Sequence, residues 1–105
     1  MSSLADTPKP PYYAVIFSST LKGHDDGYEA EANKMVALAE QQPGFLGIES
    51  ARDTLGITVS YWSDLDSIRQ WKANTEHLVA QKKGHELWYQ SFKVRVAKVE
   101  RDYGL

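Results

Sequence analysis

The sequence predicts an α+β fold in which two helices lie on one face of a four-stranded antiparallel sheet. Four runs rich in β-branched and aromatic residues predict strands. Two stretches with apolar residues at helical spacing predict helices, and the elements follow in the order β-α-β-β-α-β. The 105 residues suffice for one domain with a single core, so all these elements belong together. This order is typical of the ferredoxin-like fold.

A proline-containing arm precedes the first predicted strand. Proline has no N–H to donate to a strand ladder, and chain ends are commonly held by few contacts. We therefore expect residues 1–11 to be a flexible arm and residues 12–105 to form the domain. Residues 12–21 are apolar on both alternating faces, which predicts a first strand covered on two sides.

The first helix is predicted over about residues 27–42. An apolar stripe at helical spacing runs along it, formed by Tyr28, Ala32, Met35, Val36 and Ala39. Pro43 and Gly44 then end the helix. Two strand-like runs follow, 45–53 and 55–62, and the short turn between them predicts a hairpin.

The second helix is predicted to start at Ser63, whose hydroxyl is a candidate N-cap. Its buried edge is formed by Leu65, Ile68 and Trp71. Asn74 and Thr75 favour a break, followed by a second helical piece over about 76–83.

The last strand is predicted over about residues 88–101. Val94 and Val96 alternate with polar residues, which is the period of a strand. Val99 falls out of phase with Val96, and this shift predicts a bulge or a bend near Ala97.

Such a sheet leaves one face without helices, and that face is substantially apolar in the predicted strands. An uncovered apolar sheet face presents a large patch to water. We therefore expect a homodimer in which two copies pack sheet on sheet about a two-fold axis. Lys93 and Arg95 share one face of the last strand, where we expect them to pair with acids of the second subunit rather than with a ligand anion.

Composition excludes several classes of partner and site. With 12 basic and 14 acidic residues the net charge is -2, which predicts no attraction to nucleic acid or to anionic lipid. No apolar run approaches the roughly 20 residues of a membrane span, and the first residues lack the pattern of a secretory signal. The absence of cysteine excludes disulfides, thiolate metal sites and cysteine nucleophiles. We expect a cytoplasmic protein whose ligand is a small molecule.

The histidines are the first candidates for chemistry. His24 lies in a polar turn, where a solvated side chain is expected. His77 and His85 are eight residues apart, too far along a helix to share a metal ion, so we expect no metal centre. Gln81 lies between them, and the three form a polar stripe that faces either a cavity or solvent. His77 is the candidate general base, since a neutral imidazole accepts a proton near neutral pH.

Aromatic residues cluster around the second helix: Trp62, Trp71, Trp88, Tyr61 and Tyr89. Two interpretations stay open. These residues belong to the core, since aromatic side chains dominate small cores, or they wall a pocket for a planar ligand. In the second case Trp62 and Trp71 are the walls, and Tyr61 or Trp88 is the donor that orients the ligand.

Several short segments carry a resemblance to a known family. They are PGFLG at 43–47, ITVSYWSD at 57–64, IRQW at 68–71, EH at 76–77, AQ at 80–81, WY at 88–89 and RVAKVER at 95–101. Through them the chain resembles the antibiotic biosynthesis monooxygenase-like family of dimeric α+β barrels, in an uncharacterised branch. The similarity spans about residues 12–103.

The resemblance implies a cavity between the helices and the sheet of each subunit. Trp71 matches the helix tryptophan that lines this cavity in the haem-degrading members of the family. Gln81 occupies the position of their haem-ligating histidine, and an amide is a poor ligand for haem iron. The first-strand asparagine used by the family's oxygenases has no counterpart within residues 16–20.

The leading hypothesis is a cofactor-independent monooxygenase that acts on a phenol, a quinol or another electron-rich aromatic molecule. His77 would be the base, and the substrate would contact Trp71, Trp62, Tyr61, Gln81 and Trp88. Such substrates, once deprotonated, pass an electron to dioxygen without a metal or a flavin, so no cofactor is expected. The alternative is a non-catalytic dimer that binds a small molecule or stabilises a partner. A third hypothesis is haem or porphyrin binding, with His77 or His85 as the axial ligand.

Overall fold

The computed structural model of the protein describes residues 4–23, 27–82 and 88–105, and for residues 76–82 the backbone alone. The elements are β1 (Tyr12–Leu21), α1 (Tyr28–Glu40), β2 (Phe45–Arg52), β3 (Gly56–Trp62), α2 (Leu65–Lys82) and β4 (Tyr89–Val99). The strands form one antiparallel sheet in the order β2-β3-β1-β4. The predicted α+β, ferredoxin-like arrangement is confirmed.

Strand register divides the sheet into two faces. Tyr13 in β1 lies opposite Trp62 in β3, and residues directly opposite each other point to the same face. The ring of Trp62 stacks on Trp71 of α2, with the centroids 5.9 Å apart, so this face carries the helices and is called the helix side. Tyr61 and Ala14, which pair with each other, point to the other face, called the open side.

The core lies between the helices and the β2–β3 half of the sheet. α1 packs against β2 and α2 packs against β3. The buried apolar side chains there include Ala39, Ile48, Trp62 and Ile68. Because the helices favour this half, the helix side of β4 at the opposite edge keeps apolar side chains exposed to solvent.

The turn after α1 brings the chain sharply into β2. Gly44 has a φ of 83°, in the left-handed region that glycine tolerates best. A Cβ at this position would also overlap the hydroxyls of Ser67 and Ser63 at the start of α2. The carbonyl of Gly44 accepts a hydrogen bond from the Ser63 N–H at 2.8 Å, which links this turn to α2. The predicted end of the first helix at Pro43 and Gly44 therefore also positions the second helix.

The second helix differs from the prediction in three respects, one of which is that Leu65, predicted on its buried edge, is 43% exposed. The predicted break at Asn74 and Thr75 is wrong, since α2 runs without interruption from Leu65 to Lys82. Both polar side chains find partners that leave the backbone helical: Thr75 Oγ1 donates to the Lys72 carbonyl at 2.9 Å, and Asn74 Nδ2 donates to Gln42 Oε1 at 3.0 Å.

The cap of α2 is also one residue later than predicted. Asp64 Oδ1 accepts a hydrogen bond from the Ser67 N–H at 2.7 Å, which is the capping contact predicted for Ser63. The Ser63 hydroxyl instead donates to Asp64 Oδ2 at 2.9 Å. A carboxylate at this position also interacts favourably with the helix dipole, so the aspartate is the better cap.

The predicted bulge near Ala97 is wrong. Ala97 pairs with Ala14 in a regular register that continues to Val99, and the irregularity lies instead at Thr20 and Leu21, next to the start of β4. Val99 falls out of phase with Val96 because it points to the open side, where it pairs with Tyr12.

Residues before β1 contact the open side of the sheet. The Ala5 N–H donates to Glu49 Oε2 at 2.9 Å, and Thr7 Oγ1 donates to the Tyr12 hydroxyl at 3.0 Å. The Tyr12 hydroxyl donates in turn to Asp102 near the other end of the chain. Across the described part of the chain, none of the helices has the length and apolar character needed to cross a bilayer.

Candidate functional site

An apolar strip runs along the helix side of β1 and β4. It consists of Val15, Phe17, Phe92, Val94 and Val96, which face the same way in the strand register. The three β4 members are 49%, 48% and 51% exposed although they lie on the face that carries the helices. Because α2 packs on β3 instead, this strip is an apolar surface beside α2 that a planar ligand can cover.

A pair of tryptophans lies near one end of the strip. Trp62 is fully buried, its indole N–H donates to Ser60 Oγ at 2.9 Å, and Phe45 meets it edge-on at 5.5 Å. Trp71 stacks on it with an angle of 28° between the rings and is only half-buried. Trp62 is therefore a core residue that supports Trp71, and of the two Trp71 presents surface to solvent or ligand.

The structure does not bring Tyr61 together with these tryptophans. Successive residues of a strand point to opposite faces, so Tyr61 lies on the open side while Trp62 lies on the helix side. The Tyr61 hydroxyl donates to Glu49 Oε1 at 2.7 Å, and its ring meets Tyr12 edge-on. Burial, followed by this hydrogen bond to a carboxylate, raises the pKa of Tyr61 to about 12.

A second aromatic cluster lies at the other end of the strip. Tyr28, at the start of α1, meets Tyr89 edge-on at 5.7 Å and Trp88 edge-on at 5.8 Å. Tyr89 also packs against Phe17 at 5.4 Å, and its hydroxyl donates to the Tyr28 hydroxyl at 3.5 Å. Burial and this hydrogen bond raise the pKa of the Tyr89 hydroxyl, so it is a neutral donor at physiological pH. Trp88 thus contacts this cluster.

Arg52 joins this second cluster, and the sequence analysis did not single it out. Its Nη1 donates to the Ser19 carbonyl at 3.3 Å, and its Nη2 donates to Ser19 Oγ. The guanidinium also lies over the Tyr28 ring, 5.7 Å from the centroid. In the sequence, Arg52 stands at the end of a strand-like run and four residues before Gly56. This spacing indicates a contact between the two residues only when the register of β2 against β3 is known.

The predicted polar stripe falls on a part of α2 described by its backbone alone. Positions 77 and 81 lie in the continuous helix, and His24 and His85 lie outside the described residues. Within the described residues, no three potential metal-ligating side chains come together.

Two open depressions lie away from the strip. One, of about 470 Å³, lies between residues 7–10 and residues 100–102, and the other, of about 780 Å³, is lined by residues 98–101. Neither includes a predicted site residue. Their walls consist mainly of exposed side chains close to the chain ends, so they lack the enclosure of a substrate pocket.

Comparison with known sequences identifies relatives of the chain. The family model described as antibiotic biosynthesis monooxygenase matches residues 11–83. The uncharacterised protein YqjZ of Bacillus subtilis is 56% identical over 103 residues, which cover 96% of this chain and 90% of that protein.

Solved structures share the fold. PA3566 from Pseudomonas aeruginosa has a TM-score of 0.68 at 23% identity, and the match covers 91% of this chain and 99% of that chain. A variant of SnoaB, described as a cofactor-independent oxygenase from Streptomyces nogalater, has a TM-score of 0.72 at 17% identity, covering 87% of this chain and 95% of that chain. The fold, the match over residues 11–83 and the identity to YqjZ agree, and the chain belongs to the antibiotic biosynthesis monooxygenase family.

Proposed function

We propose that the protein is a cofactor-independent monooxygenase that oxidises a phenolic or quinol aromatic molecule held between α2 and the helix side of the sheet. The observation that carries the proposal is the apolar strip, which stays half-exposed on the face where the family fold packs its helices. Membership of the family and the fold shared with SnoaB, a cofactor-independent oxygenase, support the reaction class.

The chemistry needs little from the protein beyond binding and a base. A phenol loses its hydroxyl proton to the base, and the phenolate passes one electron to dioxygen. The two radicals combine at a ring carbon that bears hydrogen, and the protonated base returns its proton to the peroxide formed there. Loss of water from this hydroperoxide gives a quinone. One oxygen atom enters the product and the other leaves as water, so the substrate supplies all the electrons. An apolar surface that excludes water and holds the ring fulfils the main requirement.

The proposed residue roles follow the two ends of the strip. Trp71 would contact the ring of the substrate at one end, with Trp62 supporting it from the core. Trp88 would contribute at the other end, next to Tyr28. From α2 we propose His77 as the base, because imidazole accepts a proton near neutral pH. Gln81, one turn further along α2, would donate a hydrogen bond to the substrate.

Oxygen uptake with a panel of phenols and hydroquinones tests this proposal. We expect turnover by the wild-type protein and a loss of about 100-fold or more in His77→Ala, which is the usual contribution of a general base. His24→Ala removes the same chemical group from a segment rich in glycine and aspartate and should leave the rate unchanged. Absence of uptake across the panel argues against an oxygenase, and full activity of His77→Ala excludes His77 as the base.

We further propose that the open side pairs with a second copy of the chain. Its centre is apolar, with Ala14, Ile16, Ile57 and Val59 in register. Lys93 and Arg95 lie on the same face of the exposed edge strand β4. A two-fold axis would bring these cations towards acids of the other subunit while covering the apolar centre.

A non-catalytic binding protein is the second candidate function. The support for this candidate lies in β1. The helix side of this strand presents Phe17 and Ser19, and residues 16–20 contain no counterpart of the asparagine expected in an oxygenase of this family. A protein of this kind would bind the same aromatic molecules at the strip without consuming oxygen. Haem binding is a third candidate, and a hemin titration would then give a Soret shift that one histidine variant abolishes.

A further inference from the structure

We propose that Arg52, with the hydroxyls of Tyr28 and Tyr89, forms a subsite for an anionic oxygen of an aromatic ligand. The ligand class is therefore a planar aromatic anion, such as an ionised phenol or an aromatic carboxylate. This inference rests on the proposed function in one respect, namely that the aromatic ring of the ligand lies on the apolar strip.

The Arg52 side chain extends from β2 across β3 to β1, and a glycine in β3 leaves room for it. It starts at the end of β2, passes over Gly56 in β3 and reaches Ser19 in β1. A Cβ at position 56 would overlap the guanidinium, so only glycine leaves this path open. Ser19, which holds the far end of the side chain, is 2% exposed. Arg52 is exposed, but these contacts hold its guanidinium against Ser19 and the Tyr28 ring.

The charge of Arg52 has neutral partners only, within the described residues. Its hydrogen bonds go to the carbonyl and hydroxyl oxygens of Ser19, and its face lies over the Tyr28 ring. None of the ion pairs found among the described residues involves Arg52. A guanidinium carries five N–H donors, and two of them are used here. Counting only the described part of the chain, three donors and a full positive charge therefore remain for a ligand.

Two phenols extend this donor set towards the strip. The Tyr89 hydroxyl donates to the Tyr28 hydroxyl, which leaves the Tyr28 proton available for another acceptor. Phe92 lies opposite Ser19 in the register and stacks on Phe17 with ring centroids 5.5 Å apart. A ring lying on these phenylalanines would therefore have its edge next to the Ser19-bound guanidinium.

A cation at this position serves the proposed reaction directly. Electron transfer to dioxygen starts from the ionised substrate, and a nearby guanidinium favours the charged form of an acidic ligand. The subsite would thus select substrates that carry an acidic hydroxyl or carboxyl group and would stabilise them as anions. Neutral aromatic molecules of the same shape would bind on the strip with lower affinity.

Binding of naphthoate and of its neutral amide, naphthamide, tests the inference by calorimetry at neutral pH. The two probes share one ring system and differ in charge. We expect the wild-type protein to bind naphthoate about tenfold or more tightly than naphthamide, as a charge-assisted hydrogen bond provides. Arg52→Gln should abolish this preference, whereas Arg69→Gln, at an exposed arginine on α2, should retain it.

Gly56→Ala tests whether the preference for naphthoate depends on the position of the Arg52 guanidinium and not only on its positive charge. This variant keeps Arg52 but displaces its guanidinium, so it too should lose the preference for naphthoate. Circular dichroism shows whether each variant is folded. If Arg52→Gln unfolds, the preference of folded Gly56→Ala for naphthoate or naphthamide tests the subsite. Equal binding of both probes by the wild type, no binding of either, or a preference retained in folded Arg52→Gln or Gly56→Ala overturns the subsite. Oxygen uptake plays no part in this measurement, so an inactive protein that prefers naphthoate contradicts the proposed function and leaves the subsite standing.

Discussion

At the scale of single residues, the two neighbours Tyr61 and Trp62 show what a strand does to adjacent aromatic side chains. The sequence grouped them in one cluster, yet the alternation of the strand places one on each face of the sheet. The stacking of Trp62 on Trp71 agreed with the predicted aromatic cluster, because both lie at the apolar positions of their elements. Arg52 was not predicted, since its role depends on three strands and a helix that meet only in the folded chain.

The hydrogen bond from Tyr61 to Glu49 gives a prediction at this scale. Tyr61→Phe leaves one carboxylate oxygen of Glu49 without this donor, and we expect a loss of about 1 kcal/mol in the free energy of unfolding. Urea denaturation followed by circular dichroism measures it. Tyr103→Phe, at a tyrosine 92% exposed, is the matched control and should unfold like the wild type. Equal stability of all three proteins would contradict the prediction.

The raised pKa of the Tyr61 hydroxyl predicts that the free energy of unfolding depends on pH. Folding raises the pKa of Tyr61 from 10.0 to about 12, so the folded state binds the phenolic proton more tightly than the unfolded state. The stabilisation is complete below the unfolded value of 10.0 and is lost as the pH rises towards about 12. Tyr61→Phe lacks this contribution, so its stability should fall less steeply than that of the wild type over this range. Urea denaturation at several pH values measures the two slopes.

At the scale of elements, order and type were predictable from periodicity, whereas interruptions and caps were not. The four strands and two helices lie where the sequence shows strand-like runs and apolar residues at helical spacing. The absence of a break at Thr75 depends on a hydrogen bond to the Lys72 carbonyl, and the choice of Asp64 as cap depends on where the first turn begins. Such local choices differ by about 1 kcal/mol, too little for a sequence pattern to decide.

The turn between α1 and β2 gives a prediction at this scale. Gly44→Ala meets two costs, a left-handed φ of 83° and overlap with the Ser67 and Ser63 hydroxyls, so we expect a loss of about 2–5 kcal/mol. Gly23→Ala is the control, since Gly23 has a φ of 93° but nothing near its absent Cβ, and it should lose only about 1–2 kcal/mol. Chemical denaturation measures both variants. Equal losses would show that the contact with α2 contributes nothing.

At the scale of the whole molecule, the single domain and its two unlike sheet faces follow from length and pattern, but the position of α2 over the sheet does not. Helix packing depends on the shapes of side chains such as Trp62 and Trp71, whose rings stack where α2 packs on β3. The exposed strip on β4 is the result. A sequence pattern marks Phe92, Val94 and Val96 as core and gives no sign that they remain accessible.

The open side gives the prediction at this scale. We expect sedimentation to show a dimer at micromolar concentration. Ile57→Asp, at an apolar residue 41% exposed on the open side, should shift it to monomer because a buried, unpaired carboxylate opposes association. Leu65→Asp changes a side chain of similar exposure, 43%, at the start of α2 and should leave the dimer intact. A monomeric wild-type protein, or a dimeric Ile57→Asp variant, would contradict this mode of assembly.

Thr7 and Asp102, each a few residues from one end of the chain, converge on one side chain, and this has a use in protein engineering. Thr7 and Asp102 both bind the Tyr12 hydroxyl, so a short peptide could join the termini with little distortion of the sheet. New ends could then be opened in the exposed hairpin at Asp53 and Thr54, at the far edge of the molecule. A circular permutant of this kind would move any attached label away from the face proposed to bind a second subunit.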